Sequence, residues 1–202
     1  MKRRILTVCG SLQPGSANRA AIDVAQAYMR SRRDVDIDDY EHLATMPPLN
    51  ADPDHDPGPV VSSWRERIAR ADAVLIAAPE YAGALAGTIK NALDWIVGSG
   101  ELYTKPAAVI SAGTTGGPYA RQMLIQTLTW QGAHVVAQLG IAFPRTKSDS
   151  EGQIIDRTTT ARIERLTAVL IDAPTLDTQE RLNLVRTTAN SAHVDPGRIA
   201  PP

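Results

Sequence analysis

The chain has 202 residues, a length that suits one domain, or one domain with a tail, and that buries roughly 70% of its unfolded surface without need of staples. Its net charge of −1 lacks the basic footprint of a nonspecific nucleic-acid binder and argues against a small electron carrier that docks through a strongly acidic face. A single cysteine excludes a disulfide framework and makes the cytoplasm the simplest location, and no apolar run approaches the roughly 18 residues of a membrane span.

The basic start, Lys2-Arg3-Arg4, leads into an apolar run too short for a signal peptide. That run, Ile5 to Cys9, reads as a central strand covered on both faces, with Cys9 as a small buried hydrophobe. Ala17 to Arg32 reads as a helix, with Ala21, Val24, Ala25 and Tyr28 on one stripe and Ser16 as N-cap. Val35 to Ile37 alternates with acidic neighbours, the pattern of a half-exposed edge strand. Residues 44–59 form a loop rich in Pro, Asp and Gly, in which Asp52, Asp54, His55 and Asp56 are solvated surface. A helix follows, with Val61, Trp64, Ile68 and Ala71 aligned, then a third strand from Ala73 to Ala78. The next helix runs from about Thr88 to Val97 and ends at Gly98-Ser-Gly100.

Pro106 precedes the fourth strand, Ala107 to Ser111, where it removes no ladder donor. Tyr119 to Gln131 is a helix with Ala120, Met123, Leu124, Thr127 and Leu128 on one face, stopped by Gly132. His134 to Leu139 is the fifth strand, 140–155 a polar loop, and 158–172 a helix with Ile163, Leu166, Leu170 and Ile171 aligned. This alternation predicts an α/β fold: a doubly wound, five-stranded parallel sheet in the order 2-1-3-4-5 with helices on both faces. Residues 1–172 make that domain. Residues 173–202 are a C-terminal extension, helical over 178–189 and disordered over the last dozen residues, where Pro196, Gly197, Pro201 and Pro202 gather.

Three strand ends share one design. The first loop, Gly10-Ser-Leu-Gln-Pro-Gly-Ser-Ala-Asn18, precedes a helix whose first turn has unpaired N–H groups and about half a positive charge. Ser11, Ser16 and Asn18 add donors, so the loop is either a phosphate site without a lysine or a plain Ser/Gly/Asn turn with an N-cap. Gly10 and Gly15 have neither the dinucleotide spacing nor the P-loop spacing, which favours a phosphomonoester over a pyrophosphate.

The second loop, Pro79-Glu80-Tyr81-Ala82-Gly83, leaves main-chain groups for the polar edge of a heteroaromatic ring. Tyr81 either covers a ring face or packs in the core, and Glu80 is a solvated or capping carboxylate or an anchor for the loop or a partner subunit. Lys90 and Asp94 make an ion pair, and Trp95 belongs to core or interface. The third loop, Ser111-Ala-Gly-Thr-Thr-Gly-Gly117, ends at Pro118, a favoured first-turn residue. One such tip is only a turn, but three at one sheet edge make a site for a flat, polar-edged ligand.

The histidines, His42, His55, His134 and His193, have no ligand spacing, so no metal site is expected. No Gly-x-Ser-x-Gly motif and no Ser/His/Asp set are present, and no catalytic side chain is assigned.

With these residues in place, the chain resembles the NADPH-dependent FMN reductase family of flavodoxin-like proteins over about residues 4–172. Three segments carry the resemblance: Gly10 to Asn18; Pro79-Glu-Tyr with Lys90-Asn-Ala-Leu-Asp-Trp95; and Ser111 to Gly117. The resemblance implies noncovalent FMN at the carboxyl ends of the strands. Its phosphate would lie on Ser11, Ser16, Ala17 and Asn18, in the loop that holds Gln13. Its ring would lie along Pro79, Glu80, Tyr81, Ala82 and Gly83 and against Ser111, Gly113, Thr114, Gly116 and Gly117. The chain departs from the family pattern at Gln13, where arginine is usual, at Ala82, where asparagine is usual, and at Ala86, where proline is common.

The resemblance further implies NADPH or NADH as hydride donor, a small-molecule electron acceptor (quinone, flavin, azo compound or metal oxyanion) and ping-pong kinetics. No nucleic acid or membrane takes part, and the assembly is a homodimer or homotetramer. The rival reading is a flavodoxin-like flavin-binding or electron-transfer protein with no reductase activity of its own. A sugar- or nucleotide-phosphate enzyme on the same fold lacks its acid–base set here.

Overall fold

The computed structural model describes residues 2–52 and 56–199. β1 (Arg3–Cys9) alternates its side chains between two cores, Ile5 entering one and Leu6 and Val8 the other. α1 (Ala17–Ser31) begins where the Ser16 hydroxyl accepts the Arg19 amide at 3.1 Å, and it lays Ala21, Ile22, Ala25 and Met29 on the first of those cores.

β2 (Val35–Tyr40) runs three residues beyond Ile37, the expected end. The reason is charge pairing: Asp38 meets Arg67 at 2.7 Å and Asp39 meets Arg19 at 2.9 Å, so acids that look like loop residues sit on a strand. Beyond them Tyr40 is buried against the Trp64 ring, with centroids 4.7 Å apart. Burial also raises the Tyr40 phenol to about 12, against the opposing pull of Arg67. Asp54 and His55 of the expected acidic loop lie outside the described residues.

α2 (Gly58–Arg70) and β3 (Ala73–Ala77) follow. The segment read as a plain loop after the third strand is a hairpin, β4 (Glu80–Tyr81) and β5 (Ala84–Leu85). Then come α3 (Gly87–Asp94), β6 (Pro106–Gly113), α4 (Pro118–Trp130), β7 (His134–Ala142), α5 (Arg157–Asp172) and α6 (Thr178–Ser191).

Five strands form one parallel sheet in the order β2-β1-β3-β6-β7. This is the expected 2-1-3-4-5 order of a flavodoxin-like fold. α1 and α5 share one core with Ile5, Leu75, Ala108 and Ile110; α2, α3 and α4 share the other with Leu6, Val74, Ile76 and Val109. The chain winds from β1 to β2 on one side, then crosses to β3 on the other. The loops that leave β1 and β3 therefore part, and a crevice opens at the carboxyl ends of the strands.

The C-terminal segment packs on the sheet edge. Val185 of α6 joins one core, while Ala189, Ala192 and Val194 join the other, so the helix straddles β7. Gln138 of β7 donates to the Ser191 hydroxyl at 2.7 Å. The stretch expected to be disordered folds back as far as Ile199: the Arg198 guanidinium lies 4.5 Å from the Trp130 ring centroid, and Ile199 packs against the core. Residues 200–202 lie outside the described residues. Among the described residues, no helix is long and apolar enough to cross a membrane.

Candidate functional site

A cleft of about 920 Å³ lies at the carboxyl ends of β1, β3, β6 and β7, within the roughly 300–1,000 Å³ of small-molecule sites. Ser11, Gln13, Ser16, Ala17 and Asn18 form its first wall. The Ser16 amide donates to Gln13 O at 3.2 Å, and the Arg19 amide is taken by the Ser16 hydroxyl. The Ala17 and Asn18 amides, in the same first turn, have no acceptor within the helix. They stand at its positive end, which suits an anion.

The Asn18 side chain, expected as a further donor to a ligand, is committed elsewhere. Its Nδ2 donates to Ala112 O at 3.1 Å and its Oδ1 accepts the Ala112 amide at 2.9 Å, which ties the first wall to the third. Cys9 lies beneath the loop, half-buried, with Sγ 3.6 Å from Ser11 O and 4.0 Å from the Ser16 hydroxyl. Burial pushes its thiol up, outweighing those two contacts.

Pro79, Glu80 and Tyr81 form the second wall. The Glu80 carboxylate accepts the Tyr119 amide at 2.8 Å and the Ala120 amide at 3.0 Å. It therefore caps α4 from a different loop, its charge meeting the positive helix end. The N-cap of α4 itself, Gly117, has no side chain to do this. Ala82 (φ 51°) and Gly83 (φ 71°) are the two central residues of the β4–β5 turn, the left-handed pair of a type I′ hairpin. Both are exposed, and neither lines the cleft.

Ala112, Gly113 and Thr114 form the third wall. Ser111, Gly116 and Gly117 stand behind it and are buried. Ser111 points inward, and among the described residues its hydroxyl has no hydrogen-bond partner. Gly117 (φ 59°) packs directly on it, since a Cβ there would come within 1.9 Å of Ser111 Oγ.

The sequence reading missed a fourth wall: Phe143 to Thr146, Ser148 to Ser150, and Gly152. This is the loop after the fifth strand. The rule that singled out the other strand tips applies to it equally, but no glycine cluster marks it. The Phe143 amide donates to Thr114 O at 3.4 Å and Thr115 bridges to Ala142, so the third and fourth walls are joined.

The segment Lys90 to Trp95 lies outside the cleft. Lys90 pairs with Asp94 at 2.6 Å. Asn91 Nδ2 and Trp95 Nε1 both donate to Pro47 O at 2.8 Å, which pins the preceding loop onto α3. Among the described residues, no three His, Cys, Asp or Glu side chains gather as a metal site.

The chain matches the family model described as NADPH-dependent FMN reductase over residues 3–147. It is 33% identical over 165 residues to an NAD(P)H-dependent FMN reductase of Pseudomonas aeruginosa, covering 76% of this chain and 85% of that one. It is 31% identical over 175 residues to an NADPH:quinone oxidoreductase of Arabidopsis thaliana, covering 81% and 87%. Among solved structures, the flavoenzyme NAD(P)H:(acceptor) oxidoreductase FerB from Paracoccus denitrificans superposes with a TM-score of 0.70 at 26% identity, over 84% of this chain and 96% of that one. A parallel sheet of this order, three strand tips around one cleft and a family match across most of the domain agree: the chain belongs to the NADPH-dependent FMN reductase family.

Proposed function

We propose that the protein is an FMN-dependent NAD(P)H oxidoreductase that reduces a small acceptor such as a quinone, a free flavin or an azo compound. The observation that carries this reading is the meeting of three strand tips around one cleft, with the unpaired first turn of α1 in its wall. The residues present fit FMN. The Ala17 and Asn18 amides, with the Ser11 and Ser16 hydroxyls, suit a phosphomonoester. Gly113, where an added Cβ would meet nothing within 4 Å, leaves room for a flat ring beside Pro79, Glu80 and Tyr81.

When bound, FMN supplies the redox chemistry, taking hydride from a nicotinamide and passing electrons to the acceptor. The protein supplies position. Gln13 borders the phosphate end of the proposed site, and Thr114 the ring end. Ala82 and Gly83 shape the hairpin that carries Tyr81, while Ser111, Gly116 and Gly117 back the third wall. No side chain is assigned as an acid or base. Oriented main-chain donors and exclusion of water are the proposed contribution. A single open cleft serves donor and acceptor in turn, which gives ping-pong kinetics.

A homodimer or homotetramer is part of the proposal. It is supported by the exposed apolar residues Tyr119, Met123 and Trp130 along α4. A cytoplasmic location rests on the lone cysteine.

The test is an absorption spectrum of the purified protein before and after anaerobic titration with NADPH and NADH. Flavin bands that bleach, followed by parallel double-reciprocal plots with a quinone, are expected. Bands that bleach with dithionite but not with either nicotinamide would support the electron-carrier reading instead. A colourless protein that FMN cannot reconstitute would sink both.

A further inference from the structure

The turn after β7 presents its side chains instead of hiding them. Phe143 holds φ 49°, a left-handed conformation that bulky residues rarely adopt, and the residue is 61% exposed in the cleft wall. The turn is nonetheless firmly held. The Thr146 amide and hydroxyl both donate to Phe143 O, at 3.1 and 2.8 Å, and the Ser148 hydroxyl donates to Pro144 O at 3.0 Å. A strained, well-tied turn that exposes an aromatic ring is the kind of backbone outlier from which function is inferred.

Arg145 sits within this turn, exposed and lining the cleft. Among the described residues of the lining it is the single cationic side chain, against two acids, Glu80 and Asp149. Neither acid serves it. Glu80 is taken up by the Tyr119 and Ala120 amides, and Asp149 Oδ1 accepts the Glu151 and Gln153 amides, both at 2.9 Å. Arg145 therefore brings to a concave site a guanidinium that, among the described residues, makes no ion pair with either acid of the lining, although those two carboxylates outnumber it. The first loop has neutral Gln13 where the family pattern places arginine. The fourth wall approaches that loop closely, since a Cβ on Gly152 would lie 3.8 Å from Gly15 O.

We propose that Arg145 is a phosphoryl-recognition residue, the cation that this chain supplies from its fourth wall in place of one in the first loop. The inference rests on the flavin and nicotinamide reading above. A guanidinium is a planar fork of donors that matches a phosphoryl group, and it stays charged at any working pH. Two phosphoryl groups meet that chemistry here: the monoester of FMN and the 2′-phosphate that distinguishes NADPH from NADH.

The experiment compares wild type with Arg145→Ala and Arg145→Lys. Flavin-stripped protein is titrated with FMN and with riboflavin, read by flavin fluorescence. FMN-loaded protein is titrated with NADP+ and with NAD+. Because Arg145 is exposed and makes no ion pair among the described residues, both variants are expected to fold. A fall of about tenfold or more in the FMN-over-riboflavin preference of Arg145→Ala, only partly restored in Arg145→Lys, which keeps the charge but not the fork, supports the proposal and assigns the flavin phosphate. The same fall in the NADP+-over-NAD+ preference supports it and assigns the dinucleotide. Both preferences unchanged in Arg145→Ala, in a protein whose wild type binds FMN, overturn this inference alone. A wild type that binds neither flavin overturns the proposed function and this inference with it.

Discussion

Asn18 holds both peptide groups of Ala112, donating to its carbonyl at 3.1 Å and accepting its amide at 2.9 Å. One buried side chain thus fixes the start of α1 against the end of β6. Asn18→Ala leaves a buried donor and a buried acceptor unpaired, so a loss of about 2–4 kcal/mol in urea unfolding is expected. Asn18→Asp keeps the acceptor for the amide but sets oxygen against oxygen at the carbonyl, so it should not recover the wild-type midpoint. Full recovery would show that only one of the two bonds matters.

Glu80 ties the second wall to the third through the first amides of α4. Glu80→Ala should lower stability by about 1–2 kcal/mol, as loss of a helix cap does. Glu80→Gln keeps an acceptor and loses the charge, so its loss should be smaller. Thermal unfolding of the three proteins checks the ranking. Equal melting temperatures would mean that the cap contributes nothing.

Ala82 occupies a left-handed position, φ 51°, in a turn that favours Asn-Gly. Ala82→Asn or Ala82→Gly should therefore stabilise the protein, by about 0.5–1 kcal/mol. The urea midpoint should rise with an unchanged slope. Because Ala82 stands outside the cleft, FMN affinity should stay within about twofold of wild type, which corresponds to roughly 0.4 kcal/mol. A large gain in affinity would mean that the residue meets the flavin directly.

Acid should loosen the junction of β1, β2 and α5. The Arg32 guanidinium holds the Asp34 carboxyl down to about 2, with help from Arg3, which also meets Asp172 of α5 at 3.1 Å. Asp156, the N-cap of α5, is held low by its bonds to the Thr159 hydroxyl and amide. A carboxylate lowered in the folded state takes up its proton first in the unfolded chain. Its stabilisation is complete above about pH 4 and is lost as the pH falls towards 2. Urea midpoints measured from acid to neutral pH should show this slope, and Asp34→Asn should flatten it. Superimposable profiles would remove Asp34 from the account.

Much of the architecture could be read from local pattern. β1, β3 and β6 are apolar runs because both their faces are covered, and α1 has its stripe and its Ser16 cap. What could not be read depends on distant partners. Asp38 and Asp39 look like loop residues until Arg67, Arg4 and Arg19 are brought to them. The β4–β5 hairpin has two-residue strands, too short for any period, and lacks the asparagine that would announce its turn. The cleft walls at Gly10–Asn18, Pro79–Tyr81 and Ala112–Thr114 were visible as glycine or small-residue loops after buried strands. Ser111 opens the third glycine loop in the sequence and is expected against the ring, whereas the alternation of β6 sets it on the side of Val109, facing α4. The fourth wall, with Arg145, has ordinary loop composition and becomes apparent only when its strand tip joins the others.

The C-terminal helix changes the character of one margin of the sheet. At one margin of the sheet α6 packs along β7, the edge strand, and Gln138 ties the two together through Ser191. At the other margin β2 carries Asp36, Asp38 and Asp39, paired with Arg4, Arg67 and Arg19, a charged edge that disfavours a visiting strand. A strand annexed at either selvedge would therefore have to displace contacts that the fold already makes.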